Sequence, residues 1–171
     1  FGLNGSTAVV IGGTGVLGGA FSDALAAAGA HAVVGGRNRE KGEERVQTIS
    51  TNEGSTEFFA ADSTSRDDLE AIVTHLAESH RHCAILINGA GINAATPFLE
   101  ITDEEWDRIL AVNLNSIRLG CQVFGKDMLD RGTKGSIINI ASLSGMTALS
   151  RVFTYAATKA AVINLTQNLA R

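Results

Sequence analysis

Apolar residues in this chain come in short unbroken runs that end in glycine or polar turns, and between them lie longer stretches with helical spacing. Thr7 to Ile11 is the first run, and Val16 to Ala28 then reads as a helix of small residues stopped by Gly29. His31 to Gly35 is the second run, Arg39 to Asn52 a polar amphipathic helix, and Glu57 to Ala60 a third short strand leading into Asp62. Asp67 to Ser79 suits a helix, and Cys83 to Ile87 is a continuous apolar strand. Thr102 with Glu105 has the form of a capping box, opening a long helix to about Arg131. Gly135 to Ile140 predicts a fifth strand, and Tyr155 to Ala170 carries helical periodicity with strong helix formers. Strands that are apolar throughout, alternating with helices, predict a parallel sheet covered on both faces. The expected architecture is doubly wound α/β in three αβα layers. Ligands of such sheets bind beyond the carboxyl ends of the strands, so the informative residues should follow Ile11, Gly35, Ala60, Ile87 and Ile140.

Composition narrows the partners. The 171 residues suit a single domain spanning 1–171, and 44% hydrophobic with 19% charged residues is ordinary for a protein with a packed core. A formal charge of -4 leaves no general basic footprint, which argues against nucleic acid and anionic membranes and toward small molecules. No run of about 18 apolar residues exists to span a bilayer, and the start of the chain lacks the charged-then-apolar pattern of a secretory signal. Cys83 and Cys121 lie in apolar surroundings without metal-type spacing, so no metal site is expected, and buried free thiols fit a reducing cytoplasm. His31, His75, His80 and His82 show no partner pattern and are assigned no catalytic role. The chain begins at Phe1 without Met and stops at Arg171 in mid-pattern, which reads as a fragment or a processed chain.

Gly13-Thr14-Gly15-Val16-Leu17-Gly18 fits G-x-G-x-x-G directly after a strand and at the start of a helix. Such a turn brings backbone N–H groups against a pyrophosphate at the positive helix end, which makes Gly12, Thr14, Gly15, Val16, Leu17 and Gly18 candidate cofactor contacts. The alternative is a glycine turn needed only for strand–helix packing. After the second strand, where an acidic residue would bind the ribose 2′-hydroxyl of NAD, the chain has Gly35-Gly36-Arg37-Asn38-Arg39. Arg37, with Asn38 beside it, could hold a 2′-phosphate in bidentate fashion, and this favours NADP(H) over NAD(H). Arg37 and Arg39 as plain solvated residues remain the alternative. Asp62, with Ser63, could meet the adenine, while a helix N-cap role for the 62–64 region stays open.

Tyr155 and Lys159 are four residues apart, on one helix face. A fixed positive charge near a phenol stabilises the phenolate, so the pair could exchange a proton with an alcohol or carbonyl oxygen. Ser142 ends the segment Ile137-Ile138-Asn139-Ile140-Ala141-Ser142, thirteen residues before Tyr155, a spacing that lets a loop return it beside the phenol. Asn88-Gly89-Ala90-Gly91 follows the fourth strand, and Asn113 sits in the long helix. With these residues together the sequence strongly resembles the short-chain dehydrogenase/reductases of Rossmann type, over essentially its whole length. The resemblance implies that Tyr155 is the acid/base and that Ser142 polarises the substrate oxygen. It further implies that Lys159 assists Tyr155 and holds the nicotinamide ribose, and that Asn113 positions a relay water. It adds Ala90 and Gly91 to the cofactor site, together with Asn88, whose own reading is structural, steadying the neighbouring strands.

Ile11, Val16 and Gly89 depart from the family's usual residues, yet the Ser142 to Tyr155 spacing follows its compact branch. Some sugar-acid and polyol oxidoreductases of that branch share the Gly-Gly-Thr-Gly-Val-Leu-Gly turn. Members usually run to roughly 250 residues, with two further strands and a substrate loop, so the resemblance implies a C-terminally shortened chain whose fifth strand is an edge. It also implies a homo-oligomer, dimer or tetramer, in which Leu119, Val123, Phe124, Ile163 and Leu165 could pack on a partner, with packing on their own sheet equally open for about half. Ile92, Asn93, Ala94, Ser144, Met146 and Leu149 would form a mixed apolar and polar rim. The expected function is hydride transfer between NADP(H) and a carbonyl or secondary alcohol. The alternatives are a non-catalytic dinucleotide-binding module or inactive fragment, and a Rossmann-like methyltransferase, which would explain the glycine turn but not Ser142, Tyr155 and Lys159.

Overall fold

The computed structural model describes residues 2–49 and 54–171. The strands β1 (Thr7–Ile11), β2 (His31–Gly36), β3 (Ser55–Ala60), β4 (Cys83–Asn88) and β5 (Ser136–Asn139) form one sheet in the order β3-β2-β1-β4-β5. Every pairing is parallel. The helices α1 (Val16–Ala27), α2 (Arg39–Thr48), α3 (Arg66–Glu78), α4 (Asp103–Leu110), α5 (Ser116–Asp130) and α6 (Phe153–Leu169) connect and cover it. This is the doubly wound Rossmann arrangement, and the strand order reverses between β1 and β4, which opens a crevice at their carboxyl ends.

The core follows from the apolar runs. Val9, Val33 and Leu86 of the central strands pack with Leu69, Ile72 and Leu76 of α3 and with Leu119, Val123 and Phe124 of α5. A smaller cluster, Ala26, Ala32, Val34 and Ile49 with Val46 and Phe58, fills the other face. Each large side chain fully removed from water contributes about 1.5–3 kcal/mol. Leu119, Val123 and Phe124 are therefore core residues of their own sheet and not free for a partner, whereas Ile163 and Leu165 stay half-buried. Among the described residues no helix is long and apolar enough to cross a membrane. Burial pushes the Cys83 thiol up to about 12, as befits an inert packing residue.

Several expectations are corrected. The strands are not apolar throughout: β1 is wholly buried, but the edge strands β3 and β5 expose part of their length, because only one neighbour covers them. β3 begins at Ser55 because Ser55 pairs with His31, so the register of β2 extends the strand into polar residues. The helix expected over Arg39 to Asn52 ends at Thr48, with Ile49 extended, and Asn52 lies outside the described residues. The Thr102 hydroxyl accepts the Glu105 N–H at 3.2 Å, but the Glu105 carboxylate takes the Thr96 hydroxyl at 2.7 Å, so the capping box is not reciprocal through Glu105. The expected single long helix is divided by a π-helical segment, Ala111–Asn115. Two histidines do have a partner: His31 and His75 meet the two oxygens of Glu57 at 2.9 and 3.0 Å, tying β2, β3 and α3 together. Burial pushes the Glu57 carboxyl up, but the hydrogen bonds and charge of His31 and His75 outweigh it and hold the group below its ordinary value.

Candidate active site

The crevice is shaped by backbone before side chains. Gly12 adopts φ +83, and a Cβ there would lie 2.7 Å from the Ala90 nitrogen, so the turn after β1 and the segment after β4 can meet only through glycine. A Cβ on Gly18 would collide with the Gly12 carbonyl oxygen, which is how α1 starts so close to the strand end. The N-cap of α1 is Gly15, which has no side chain to cap it, so the N–H groups of Val16, Leu17 and Gly18 at the first turn face outward without a helical acceptor. That combination can hold an anion. The side chain of Val16 is 86% exposed and that of Leu17 is exposed as well, so these two residues would act through their backbone.

A groove of about 220 Å³ runs from this turn past Thr14, Gly36 and Arg37 to Ser63, and on the other side to Ala90, Gly91 and Ile92. The structure thus brings Gly12, Thr14, Gly15, Arg37, Ser63, Ala90 and Gly91 to one surface. Arg37 stands 69% exposed, 3.9 Å from the Asp62 carboxylate, a pair too long and too wet to hold it in place. Asp62 accepts the Thr64 N–H at 2.8 Å and the Thr64 hydroxyl at 2.7 Å. Burial pushes its carboxyl up, while these bonds and Arg37 hold it below the ordinary value. The α3 N-cap is Ser65, which accepts from the Asp68 N–H, so the cap expected of residues 62–64 falls one position later. Asn38 caps α2, accepting the Lys41 N–H at 2.9 Å, and does not line the groove. The side chain of Asn88 is likewise turned away: its amide donates to Asn139 at 2.9 Å across β4 and β5, the structural role, and as a side-chain contact to a cofactor it is withdrawn.

The chemical end lies where α6 passes β5. Lys159 is 3% exposed; its ammonium donates to the Ile140 carbonyl at 2.6 Å and stands 5.5 Å from the centroid of the Tyr155 ring. Burial pushes the Lys159 ammonium down from its ordinary value. Among the described residues no protein group bonds the Tyr155 hydroxyl, which leaves it free for a ligand. The turn bearing Ser142 is seated on α6 by Gly145, where a Cβ would come within 2.7 Å of the Lys159 carbonyl carbon.

Asn113 is 0% exposed in the π segment, whose wider turn breaks the i to i−4 ladder and swings this residue out of helical register. Its side-chain oxygen accepts the Ile92 N–H at 2.8 Å, and its amide donates to the Ile92 carbonyl at 2.8 Å and to the Thr158 hydroxyl at 3.3 Å. The side chain therefore clamps the segment after β4 to α6. The space over Gly91 is bordered by Asn113 Oδ1 and Lys159 Nζ, 3.7 and 3.8 Å from where a Cβ would be. Sequence reasoning missed Thr158, Gly145 and the ordering contact of Ser144. Thr158 lies inside the Tyr-x-x-x-Lys span and could have been singled out; the other two depend on how a loop docks on α6. Lys159 thus lies close to both the Tyr155 ring and Gly91 of the groove, an arrangement in which a phenol can exchange a proton beside a bound ligand.

Comparison with known proteins agrees with this geometry. The family model described as short chain dehydrogenase matches residues 6–171. The chain is 34% identical over 169 residues to 3beta-hydroxysteroid dehydrogenase 2 of Eggerthella lenta, covering 98% of this chain and 65% of that protein. It is 37% identical to galactitol 2-dehydrogenase of Rhizobium johnstonii, covering 99% of this chain and 66% of that protein. The chain thus spans just under two thirds of the length of these curated relatives. Among solved structures, a metagenomic short-chain oxidoreductase in complex with NADP superposes with a TM-score of 0.89 at 31% identity, covering 98% of this chain and 76% of the other. A short-chain type dehydrogenase/reductase from Mycobacterium marinum reaches 0.93 at 28% identity, over 99% and 69% of the two chains. On sequence and fold alike, this chain belongs to the short-chain dehydrogenase family.

Proposed function

We propose that the chain holds the cofactor cradle and the acid–base group of an oxidoreductase that interconverts a secondary alcohol and a carbonyl with NADP(H). The observation that carries this reading is the buried Lys159 ammonium, which stands 5.5 Å from the Tyr155 ring centroid and borders Gly91 of the groove that begins at the glycine turn. The residues fit a nicotinamide dinucleotide. The uncapped α1 N-terminus suits the pyrophosphate, and Asp62 and Ser63 suit the adenine end. The exposed guanidinium of Arg37, with no carboxylate closing β2, favours a 2′-phosphate and hence NADP(H) over NAD(H). The nicotinamide, when bound, supplies or accepts the hydride.

The chain's own residues supply orientation and proton transfer. Ser142 donates a hydrogen bond to the substrate oxygen, and the Tyr155 hydroxyl gives that oxygen a proton in reduction and takes it back in oxidation. The Lys159 ammonium, held on the Ile140 carbonyl, keeps positive charge beside the phenol and reaches toward the ribose hydroxyls. Asn113 holds the floor at Ile92, and the space over Gly91 is where a relay water reaches Lys159. Relatives named for a hydroxysteroid and for galactitol support secondary alcohols as the substrate class. A homo-oligomeric, cytoplasmic protein with one domain over 1–171 completes the proposal. Membership of the family removes the methyltransferase alternative.

Fluorescence titration with NADPH and NADH tests the cradle. Arg37→Asp should weaken NADPH by about 10–100-fold and spare NADH. Tyr155→Phe should lower turnover in a secondary-alcohol screen by about 10²–10⁴-fold without changing cofactor affinity. Undiminished turnover by Tyr155→Phe refutes the acid–base assignment, and cofactor binding without turnover by the wild type leaves a binding module.

A further inference from the structure

The hydroxyl assigned to polarise the substrate has its direction set by a neighbour, an extension that rests on the acid–base reading above. Ser142 Oγ accepts the Ser144 backbone N–H at 3.2 Å and the Ser144 hydroxyl at 3.0 Å. A serine oxygen has two lone pairs and one proton. With the Ser144 hydroxyl as the donor of that pair, both lone pairs are engaged by the same residue and the proton of Ser142 points away from Ser144. We propose that Ser144 is a positioning residue that locks Ser142 as a hydrogen-bond donor toward the substrate oxygen.

The surroundings make this lock firm. Ser144 is 6% exposed, so water competes poorly for its hydroxyl, whereas Ser142 is only half-buried. The turn cannot drift, because Gly145 lies against the Lys159–Ala160 peptide with no room for a side chain. Donor polarity is what the chemistry needs. Negative charge gathers on the carbonyl oxygen as hydride arrives, so a Ser142 lone pair aimed at that oxygen would raise the barrier that a proton lowers. The Ser144 O–H also polarises the Ser142 O–H in series and strengthens it as a donor.

The experiment compares Ser144→Ala and Ser144→Thr with the wild type, using NADP⁺ and cyclohexanol, with galactitol as second probe, and checks folding by thermal melting. Ser144→Ala should fold normally, keep its KM for NADP⁺ and lose about tenfold in kcat, and Ser144→Thr should return to within about threefold of wild type. Neutron diffraction from crystals exchanged into deuterium oxide gives a readout independent of turnover. The Ser142 deuteron should point away from Ser144. A deuteron of Ser142 lying between the two oxygens overturns the assignment, as does an unchanged kcat for Ser144→Ala in a protein that Tyr155→Phe inactivates. Full activity in Tyr155→Phe would instead sink the acid–base reading, with the deuteron position still deciding the orientation of Ser142.

Discussion

Asn113 offers the sharpest test of how the site is held together. Replacing it with alanine removes an acceptor from the Ile92 N–H, a donor from the Ile92 carbonyl and a donor from the Thr158 hydroxyl. Each buried polar group left unpaired costs about 1–3 kcal/mol. Asn113 is fully buried, but Ile92 is only half-buried, so water can recover part of what its peptide loses. The expected loss is about 2–4 kcal/mol, which lowers Tm by about 5–15 °C for a protein of this size. Urea unfolding of wild type, Asn113→Ala and Asn113→Leu separates hydrogen bonding from packing. Leucine has the branched outline of asparagine in a larger side chain, and it should do no better than alanine, because the same Ile92 peptide is stranded. If Asn113→Leu unfolds within about 0.5 kcal/mol of wild type, the clamp contributes nothing and Asn113 merely fills space.

Glu57→Gln should destabilise the protein by about 1 kcal/mol at pH 7, a modest figure because Glu57 and His75 are both about one third exposed and solvent screens them. Since the folded carboxyl lies below its ordinary value, the wild-type advantage is present above that ordinary value and vanishes as pH falls through the depressed folded one. Urea melts at pH 7 and at low pH check this, and a variant as stable as wild type at pH 7 contradicts it. Gly145→Ala should cost about 1–3 kcal/mol and pull the Ser142 turn off α6, because its Cβ would fall 2.7 Å from the Lys159 carbonyl carbon. Thermal melting with the alcohol screen reads both effects, and a silent Gly145→Ala would show that the turn docks more loosely than described.

The sequence by itself determined the layers and nearly every element. An unbroken apolar run such as Val9–Val10–Ile11 can be buried only in a central strand, and a glycine turn at its end leaves few backbone courses. Tyr155 and Lys159 could be paired from spacing because helical geometry is local. What the sequence did not reveal are contacts between segments distant along the chain. The bracket of His31 and His75 on Glu57 exists only because the register of β3 on β2 brings Glu57 up against α3. The π segment at Asn113 has no period of its own in an apolar pattern, and its side chain is drawn inward by the Ile92 peptide 21 residues earlier. Asn38 looked like a cofactor contact because it follows a strand, whereas Asn88 read as a strand-steadying residue; which way a side chain turns at a strand end depends on the competing partners there, the Lys41 N–H for one and Asn139 for the other. Local periodicity encodes which elements form, whereas the direction of a polar side chain is decided by whichever distant donor or acceptor folding places beside it.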